Sequence, residues 1–133
     1  MKGFVIDASV VLTYLLKGDK EFVSLLKKIK KDRFELVSLE LLDWEVRNGL
    51  RFSLENKDLA IKLMILYEQL PIRKLSLSSG LWEEVLKLAY QQKVTVYDAS
   101  YHVLGLSLGW EFLTRDEKYE RRVREIGGVR LWG

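Results

Sequence analysis

Four acidic residues occupy positions from which they could bind a metal ion together: Asp7, Glu45, Asp98 and Asp116. Asp7 follows the apolar run "GFVI" and Asp116 follows "WEFLT", so each lies at the predicted carboxyl end of a strand. Asp98 stands between "VTVY" and a dense apolar stretch, and Glu45 adjoins the apolar stripe of a predicted helix. Ligands of open parallel sheets bind beyond the carboxyl ends of the strands. We therefore expect the four carboxylates to converge at one edge of a sheet.

Carboxylates that share a cleft repel one another, and burial favours their protonated forms unless cations enter the site. The chain has no cysteine and a single histidine, so a metal would be bound mainly through oxygen. Oxygen ligands suit Mg²⁺, for which Mn²⁺ can substitute. Such ions can activate water and stabilise the leaving oxygen during phosphodiester cleavage. Taken singly, each acid also has an ordinary explanation, since Asp98 could cap a helix and Glu45 could be a solvated helix residue.

The elements that would position these acids alternate along the chain. Apolar runs predict strands at residues 2–7, 33–38, 72–77, 110–114 and 129–132. Apolar residues at helical spacing predict helices at residues 20–31, 39–56, 57–70, 78–93 and 115–126. Two further helices are predicted to begin at an N-cap Ser9 and near Asp98. Strands separated by helices imply a mostly parallel sheet, so the predicted fold class is a three-layer α/β/α fold. The length of 133 residues fits a single domain, 1–133.

Composition limits the possible partners and compartments. Apolar runs stay well below the roughly 18 to 20 residues that cross a bilayer, and the N-terminus does not read as a signal peptide, so we expect a cytoplasmic protein with no membrane partner. A net charge of +3 favours a polyanionic partner only mildly.

The surroundings of the four acids resemble the motifs of PIN-domain ribonucleases, in particular the VapC-type toxins of toxin–antitoxin pairs. The similar segments, in the family's order, are "FVIDASVVLTYLL", "WEVRNGL", "VYDASYHVLGL" and "FLTRDEKY". The resemblance runs nearly end to end and implies a PIN-like fold. It also implies a Mg²⁺-dependent endoribonuclease that acts on RNA, forms a homodimer and is neutralised by a VapB-type antitoxin.

The resemblance further implies roles for the four acids. Asp7, Glu45, Asp98 and Asp116 would form the catalytic quartet, with Asp7 and Asp98 as direct metal ligands. Asp116 would bind a second ion or the waters around it, and Glu45 would orient the nucleophile.

Polar supporting groups are implied at Ser9, Asn48 and Thr114. Basic residues beside the acids could contact substrate phosphates, but most of them are expected to lie on exposed helix surfaces, with Arg115 as the exception; they are Arg47, Arg51, Arg115 and Lys118.

Two departures from the family stand out. The glutamate helix lacks a proline near its start, and His102 lies where the family usually has a small or apolar residue; a lone histidine is more often structural than catalytic. Tryptophans could stack on bases or be buried at a dimer interface, but in a domain of this size we expect them mainly in the core; they are Trp44, Trp82, Trp110 and Trp132.

Other functions remain as alternatives. A phosphoacceptor signalling domain would pair two acids after the first strand and end a middle strand in aspartate, whereas Asp7 stands alone. A haloacid-type phosphatase would have Asp-x-Asp where this chain has "DAS". Within the PIN family, the alternatives are an RNA-processing nuclease without an antitoxin and an inactive scaffold.

Overall fold

A five-stranded sheet forms the centre of the computed structural model, which describes residues 2–32 and 34–133. Every pair of neighbouring strands in it is parallel, which confirms the predicted α/β class. The spatial order is β3-β2-β1-β4-β5. The strands are β1 (Gly3–Ile6), β2 (Glu35–Leu39), β3 (Ile72–Leu75), β4 (Glu111–Thr114) and β5 (Val129–Leu131).

Helices cover both faces of this sheet, so the three-layer arrangement is confirmed. Successive residues of a strand point to opposite faces, and accordingly Val5 and Ile6 of β1 belong to two separate hydrophobic cores. Helices α1 to α4 pack on the Ile6 face, and α5 to α7 pack on the Val5 face. The helices are α1 (Ala8–Lys17), α2 (Lys20–Asp32), α3 (Leu41–Ser53), α4 (Lys57–Glu68), α5 (Ser79–Gln92), α6 (Val96–Leu108) and α7 (Glu117–Val123).

Helix α6 is the most deeply buried helix next to the candidate site. All its residues from Ala99 to Gly105 are buried. At Gly105 a Cβ atom would lie 2.8 Å from the carbonyl oxygen of Trp110, so this glycine allows α6 to approach the chain just before β4. That close approach fixes the N-terminal end of α6, which carries Asp98, relative to the sheet.

The predicted N-cap of the first helix is wrong by two residues. Asp7, rather than Ser9, caps α1: its Oδ1 atom accepts hydrogen bonds from the backbone N–H groups of Ser9 at 3.0 Å and Val10 at 3.4 Å. Aspartate caps a helix as well as serine does, and α1 starts directly after Asp7. Ser9 therefore lies inside the first turn, where its hydroxyl can serve the site.

Asp98 does not cap α6 either. The N-cap is Thr95, whose Oγ1 atom accepts a hydrogen bond from the backbone N–H of Asp98 at 3.1 Å. The helix begins at Val96, two residues before the predicted start, because Thr95 provides a favourable cap. The carboxylate of Asp98 is thus not used for capping.

Other boundaries differ in smaller ways. Helix α3 spans 41–53 rather than 39–56, because Leu39 continues β2 and Asn56 caps α4 by accepting from the Leu59 N–H at 3.0 Å. The predicted start of the second strand, Arg33, lies outside the described residues.

The expectation that tryptophans are mainly core is wrong for two of them. The Trp44 side chain is 78% exposed on α3 and Trp82 is 46% exposed on α5, whereas Trp110 and Trp132 are half-buried. Over the residues described, no helix combines the length and apolar character needed to cross a membrane.

Candidate active site

The candidate site lies where the strand order of the sheet reverses. From β1 the chain first adds β2 and β3 on one side and then crosses back to add β4 and β5 on the other. Asp7 directly follows β1, and Asp116 lies two residues beyond the end of its neighbour β4. The two acids therefore stand at the carboxyl edge, at the topological switch point where ligands of such sheets bind.

Asp7 is buried and firmly oriented. Its Oδ2 atom accepts a hydrogen bond from the Thr114 hydroxyl at 2.6 Å, and its Oδ1 atom accepts one from the Ser9 hydroxyl at 2.6 Å. Thr114 is itself buried as the last residue of β4. Two of the three predicted supporting residues therefore contact the first acid directly.

The same two hydroxyls connect Asp7 to the loop after β4. The Thr114 hydroxyl accepts a hydrogen bond from the Asp116 N–H at 3.2 Å, and the Ser9 hydroxyl accepts one from the Arg115 N–H at 2.9 Å. Asp116 then caps α7 by accepting from the Tyr119 N–H at 3.0 Å. The Thr114 hydroxyl thus holds the backbone of Asp116 and the carboxylate of Asp7 at the same time.

Burial is the main influence on the ionisation of Asp7. It raises the pKa of Asp7 from 3.8 to about 6, and the charge of Asp98 adds to the rise. Hydrogen bonds from Ser9, Thr114 and the Val10 N–H lower the pKa but do not offset burial. The ionised form of Asp7 is therefore poorly compensated by the protein alone.

Asp98 is the acid through which the four carboxylates are coupled. Its pKa is raised by burial and by the charge of Asp116, and its own charge raises the pKa of both Asp7 and Glu45. Such mutual effects require that the carboxylates lie near one another. The charge of Asp98 thus acts on Asp7 and Glu45 and is itself influenced by the charge of Asp116, so the four acids that the sequence singled out lie within the range of charge interactions.

Glu45 is oriented by a residue that sequence analysis missed. The Tyr101 hydroxyl donates a hydrogen bond to Glu45 Oε1 at 2.6 Å. Tyr101 is buried on α6 and stacks on Phe112 of β4, with ring centroids 5.7 Å apart. Its position three residues after Asp98, which puts both side chains on neighbouring parts of one helix face, was the available signal.

Three of the other polar residues that the sequence drew attention to lie apart from this cluster. Asn48 is exposed on α3, and its side chain makes no hydrogen bond to any residue that the structure describes. The Arg115 side chain turns toward the Trp132 carbonyl oxygen, 3.5 Å away, so only its backbone faces the cluster. Arg47 pairs with Glu68 at 2.9 Å on the exterior, as expected for most of these cations.

The donor chemistry of the cluster fits a hard divalent cation. All four side chains are carboxylates. Within residues 2–32 and 34–133, Asp7 Oδ2 accepts only the Thr114 hydrogen bond, which leaves it a lone pair for a metal. Across residues 2–32 and 34–133, however, no three acidic or histidine side chains are already close enough to one point to hold an ion. The carboxylates form a cluster by charge coupling rather than a preassembled coordination shell.

An open cavity of about 420 Å³ gives access to Asp98 and Asp116. The other charged groups that line it are basic: Lys93, Lys118 and Arg122. The site can therefore admit a substrate as well as an ion.

Comparison with known proteins assigns the family. The model of the PIN domain matches residues 4–125, nearly the whole chain. The chain belongs to the PIN-domain family. The predicted PIN-domain family is thereby confirmed. The search of curated proteins found no match.

Solved structures share the PIN fold at low sequence identity. PAE2754 from Pyrobaculum aerophilum aligns with a TM-score of 0.73 at 22% identity, covering 98% of this chain and 89% of that chain. VapBC2 from Rickettsia felis, bound to a promoter DNA fragment, aligns with a TM-score of 0.74 at 14% identity, covering 98% of this chain and 99% of that chain. VapC20 from Mycobacterium tuberculosis, a sarcin–ricin loop cleaving toxin, aligns with a TM-score of 0.63 at 12% identity, covering 89% of this chain and 93% of that chain.

His102 is a structural residue of this PIN domain, as the sequence indicated. It is fully buried, with Nε2 lying 2.8 Å from the Gly127 carbonyl oxygen and Nδ1 lying 2.8 Å from the Tyr119 hydroxyl. Because a carbonyl only accepts, Nε2 carries the hydrogen, and in the neutral ring Nδ1 accepts from Tyr119. Burial lowers the pKa of His102, which favours this neutral form. The ring joins α6 to α7 and so links the helices that carry Asp98 and Asp116.

Replacing Asp7 with asparagine should stabilise the metal-free protein at neutral pH. The folded-state pKa of about 6 lies above the ordinary 3.8, so ionisation of Asp7 destabilises the folded state. This loss of stability grows as the pH rises from 3.8 to about 6 and is complete above that interval. The difference corresponds to at most roughly 3 kcal/mol, and we expect Asp7→Asn to gain about 1 to 3 kcal/mol at pH 8. Urea unfolding with a chelator present, at pH 4 and pH 8, measures this gain.

The gain should be much smaller at pH 4, where the folded wild type holds its proton. Asp58→Asn, an exposed acid on α4, is the matched control and should change the free energy of unfolding by only about 0.5 kcal/mol or less. A destabilised Asp7→Asn protein at pH 8 would contradict the assigned ionisation.

Removing the Tyr101 hydroxyl should change the ionisation of Glu45. The hydrogen bond from Tyr101 lowers the pKa of Glu45, so Tyr101→Phe should raise that pKa further and reduce the free energy of unfolding by about 1 kcal/mol. Carbon-13 NMR titration of glutamate carboxyl groups measures the first effect. Tyr90→Phe, on an 82% exposed ring, should leave Glu45 unchanged. An unaltered Glu45 titration in Tyr101→Phe would show that this hydrogen bond does not orient the acid.

Proposed function

We propose that this PIN domain is a metal-dependent endoribonuclease that hydrolyses RNA phosphodiester bonds. The observation that carries the proposal is the buried carboxylate of Asp7 at the switch point of the sheet, where the Thr114 hydroxyl joins it to Asp116. Charge effects of Asp98 on the pKa of Asp7 and Glu45 are consistent with one acidic cluster. Buried, mutually repelling carboxylates are unfavourable by themselves and become favourable when a divalent cation balances them. Membership of the PIN family and the similarity to VapC20, named as a toxin that cleaves the sarcin–ricin loop, support the same activity.

The proposed cofactor is Mg²⁺, with Mn²⁺ as a substitute. Asp7 and Asp98 would be the direct ligands, and Asp116 would bind a second ion or hold the waters around it. When bound, the ion lowers the pKa of water and neutralises charge on the phosphate. The residues around Asp7 contribute orientation, because the Ser9 and Thr114 hydroxyls fix its carboxylate before any ion arrives.

Glu45 would orient the attacking water and take its proton. Burial and the charge of Asp98 raise the pKa of Glu45, which makes its carboxylate a better proton acceptor than a solvated glutamate. Tyr101 holds one oxygen of Glu45, Oε1, and leaves the other, Oε2, for the water. Among the three supporting residues, Ser9 and Thr114 act through Asp7, and Asn48 would act only on a substrate that passes over the exposed side of α3.

The biological setting that we propose is a toxin–antitoxin pair. The structural similarity to VapBC2, which was solved with its promoter DNA, supports a VapC-type toxin with a VapB-type antitoxin. The proposed toxin would act as a homodimer on cytoplasmic RNA, as the resemblance to the family implies. A short antitoxin-like reading frame next to this gene would discriminate this role from RNA processing without an antitoxin. The phosphoacceptor alternative is disfavoured, because β2 and β3 end in Leu39 and Leu75 rather than in aspartate.

Cleavage should require the metal and the central acid. We expect purified protein to cut single-stranded RNA with Mg²⁺ or Mn²⁺, to lose activity in excess chelator, and to recover it when metal is restored. Asp98→Asn should reduce the cleavage rate by about 10³-fold or more while circular dichroism shows an intact fold.

Glu83→Gln, an exposed acid on α5, is the matched control and should cleave at the wild-type rate. Undiminished cleavage by Asp98→Asn, or by wild type in chelator, would exclude the proposed mechanism.

A further inference from the structure

The cavity at the acidic cluster has a basic wall that the proposed chemistry does not use. We propose that Lys93, Lys118 and Arg122 form a phosphate subsite that binds the RNA backbone beside the bond to be cleaved. This inference rests on the proposed nuclease function and adds the residues that hold its substrate. The subsite defined by these three residues is called the basic wall below.

The first supporting observation is the arrangement of charge in one cavity. Asp98 and Asp116 line the same space of about 420 Å³ as the basic wall. Lys93 comes from the end of α5, while Lys118 and Arg122 come from α7 at a spacing of four residues, which places them on one helix face. The volume lies within the roughly 300 to 1,000 Å³ typical of ligand sites, so a nucleotide unit fits.

The basic wall does not serve to neutralise the acids of the protein. In the described part of the chain, none of its three cations has a carboxylate oxygen within the 4.0 Å of an ion pair. Other surface cations, such as Arg124 with Glu120 at 2.6 Å, do form such pairs. The three charges are therefore available to an anion from outside the chain.

The second observation is the backbone conformation of Lys93. It lies in the left-handed region, with φ 55° and ψ 48°, and is the one non-glycine residue with positive φ in the part of the chain that the structure describes. Helices α1 and α6 end in the same conformation with glycine, at Gly18 and Gly109. A lysine is less stable than glycine there. Its presence at the rim of this cavity points to a use for the side chain.

Arg122 is held in position next to Lys93. Its Nη1 atom donates a hydrogen bond to the carbonyl oxygen of Gln92, 3.3 Å away. This contact joins α7 to the end of α5, and it leaves the other guanidinium N–H groups free to bind phosphate. Arg115, the cation that the sequence favoured for this task, instead contacts the Trp132 carbonyl and does not line the cavity.

The ligand class follows from the combination of charges. An acidic cleft repels the phosphates of a polyanion. A bound cation would offset this repulsion only at the phosphate that is cleaved. A basic wall a short distance away would hold a neighbouring phosphate of the same strand. Contacts of this kind are independent of base sequence and depend on salt. The geometry therefore fits a polynucleotide backbone.

Lys93→Gly is the most informative variant, because it removes the positive charge and also places glycine, which favours the left-handed conformation, at this position. We expect its melting temperature to rise while its affinity for RNA falls about 3- to 10-fold at low salt. The probe is a fluorescein-labelled, single-stranded RNA of 12 mixed nucleotides, measured by anisotropy with Ca²⁺ replacing Mg²⁺ to suppress cleavage. The slope of log affinity against log salt should flatten by about 0.7, the value for one lost phosphate contact with a single strand.

Matched variants separate the basic wall from general charge. Lys118→Gln and Arg122→Gln should each weaken RNA binding as Lys93→Gly does. Lys93→Arg keeps the positive charge and should bind RNA with the wild-type affinity and salt dependence. Lys62→Gln removes one charge from the exposed side of α4 and should leave both values at the wild-type level. Equal weakening by Lys62→Gln would show that net charge alone is responsible and would overturn the proposal.

The subsite and the nuclease can fail independently. If wild type cleaves RNA but the three wall variants bind it with unchanged affinity and salt slope, the basic wall is wrong and the nuclease stands. If the wall variants weaken RNA binding but wild type cleaves nothing with any divalent metal, the wall stands and the nuclease is wrong. A 5′-mononucleotide that competes as tightly as the RNA probe would overturn the assignment to a polynucleotide backbone.

Discussion

The hydrogen bond from the Thr114 hydroxyl to Asp7 Oδ2, 2.6 Å long, is the contact on which the rest of the site depends. It joins the ends of β1 and β4, which are neighbours in the sheet although 107 residues apart in the chain. The same hydroxyl accepts the Asp116 N–H, so one side chain fixes two of the four acids. The parallel pairing of β1 with β4 is what makes this possible, because only parallel neighbours bring both carboxyl ends to one edge.

Two features of this protein place function ahead of stability. Asp7 is buried with its charge poorly compensated, and Lys93 adopts a conformation in which glycine is more stable. Asp7 caps α1, but burial of its charge opposes folding, as does the left-handed backbone of Lys93. Both features are related to Asp98, whose charge raises the pKa of Asp7 and whose side chain lines the same cavity as Lys93. Strain and uncompensated charge that gather at one place are characteristic of functional sites. The core is conventional by contrast, with two apolar layers and, within the described residues, no buried side-chain polar atom lacking a partner.

The sequence predicted the elements and the acids well, because both depend on short-range patterns. The stripe of Leu42, Val46 and Leu50 lies buried on α3 as its spacing indicated, and the apolar runs before Asp7 and Asp116 are strands. Contacts between distant segments were out of reach. The bond from Tyr101 to Glu45 spans 56 residues. Helical spacing places Tyr101 near Asp98, but it does not specify that the Tyr101 hydroxyl meets Glu45.

Adjacency in sequence does not determine which cations line the cavity. Arg115 is next to Asp116, but its backbone N–H is held by Ser9 and its side chain turns toward Trp132. The capping of α7 by Asp116 directs the next turns of that helix along the cavity, and so it brings Lys118 and Arg122 to the acids instead. His102 holds α7 against α6 through Tyr119 and the Gly127 carbonyl. The lone histidine therefore matters to the site by holding together the helices that carry Asp98, Lys118 and Arg122, three charged residues that line one cavity.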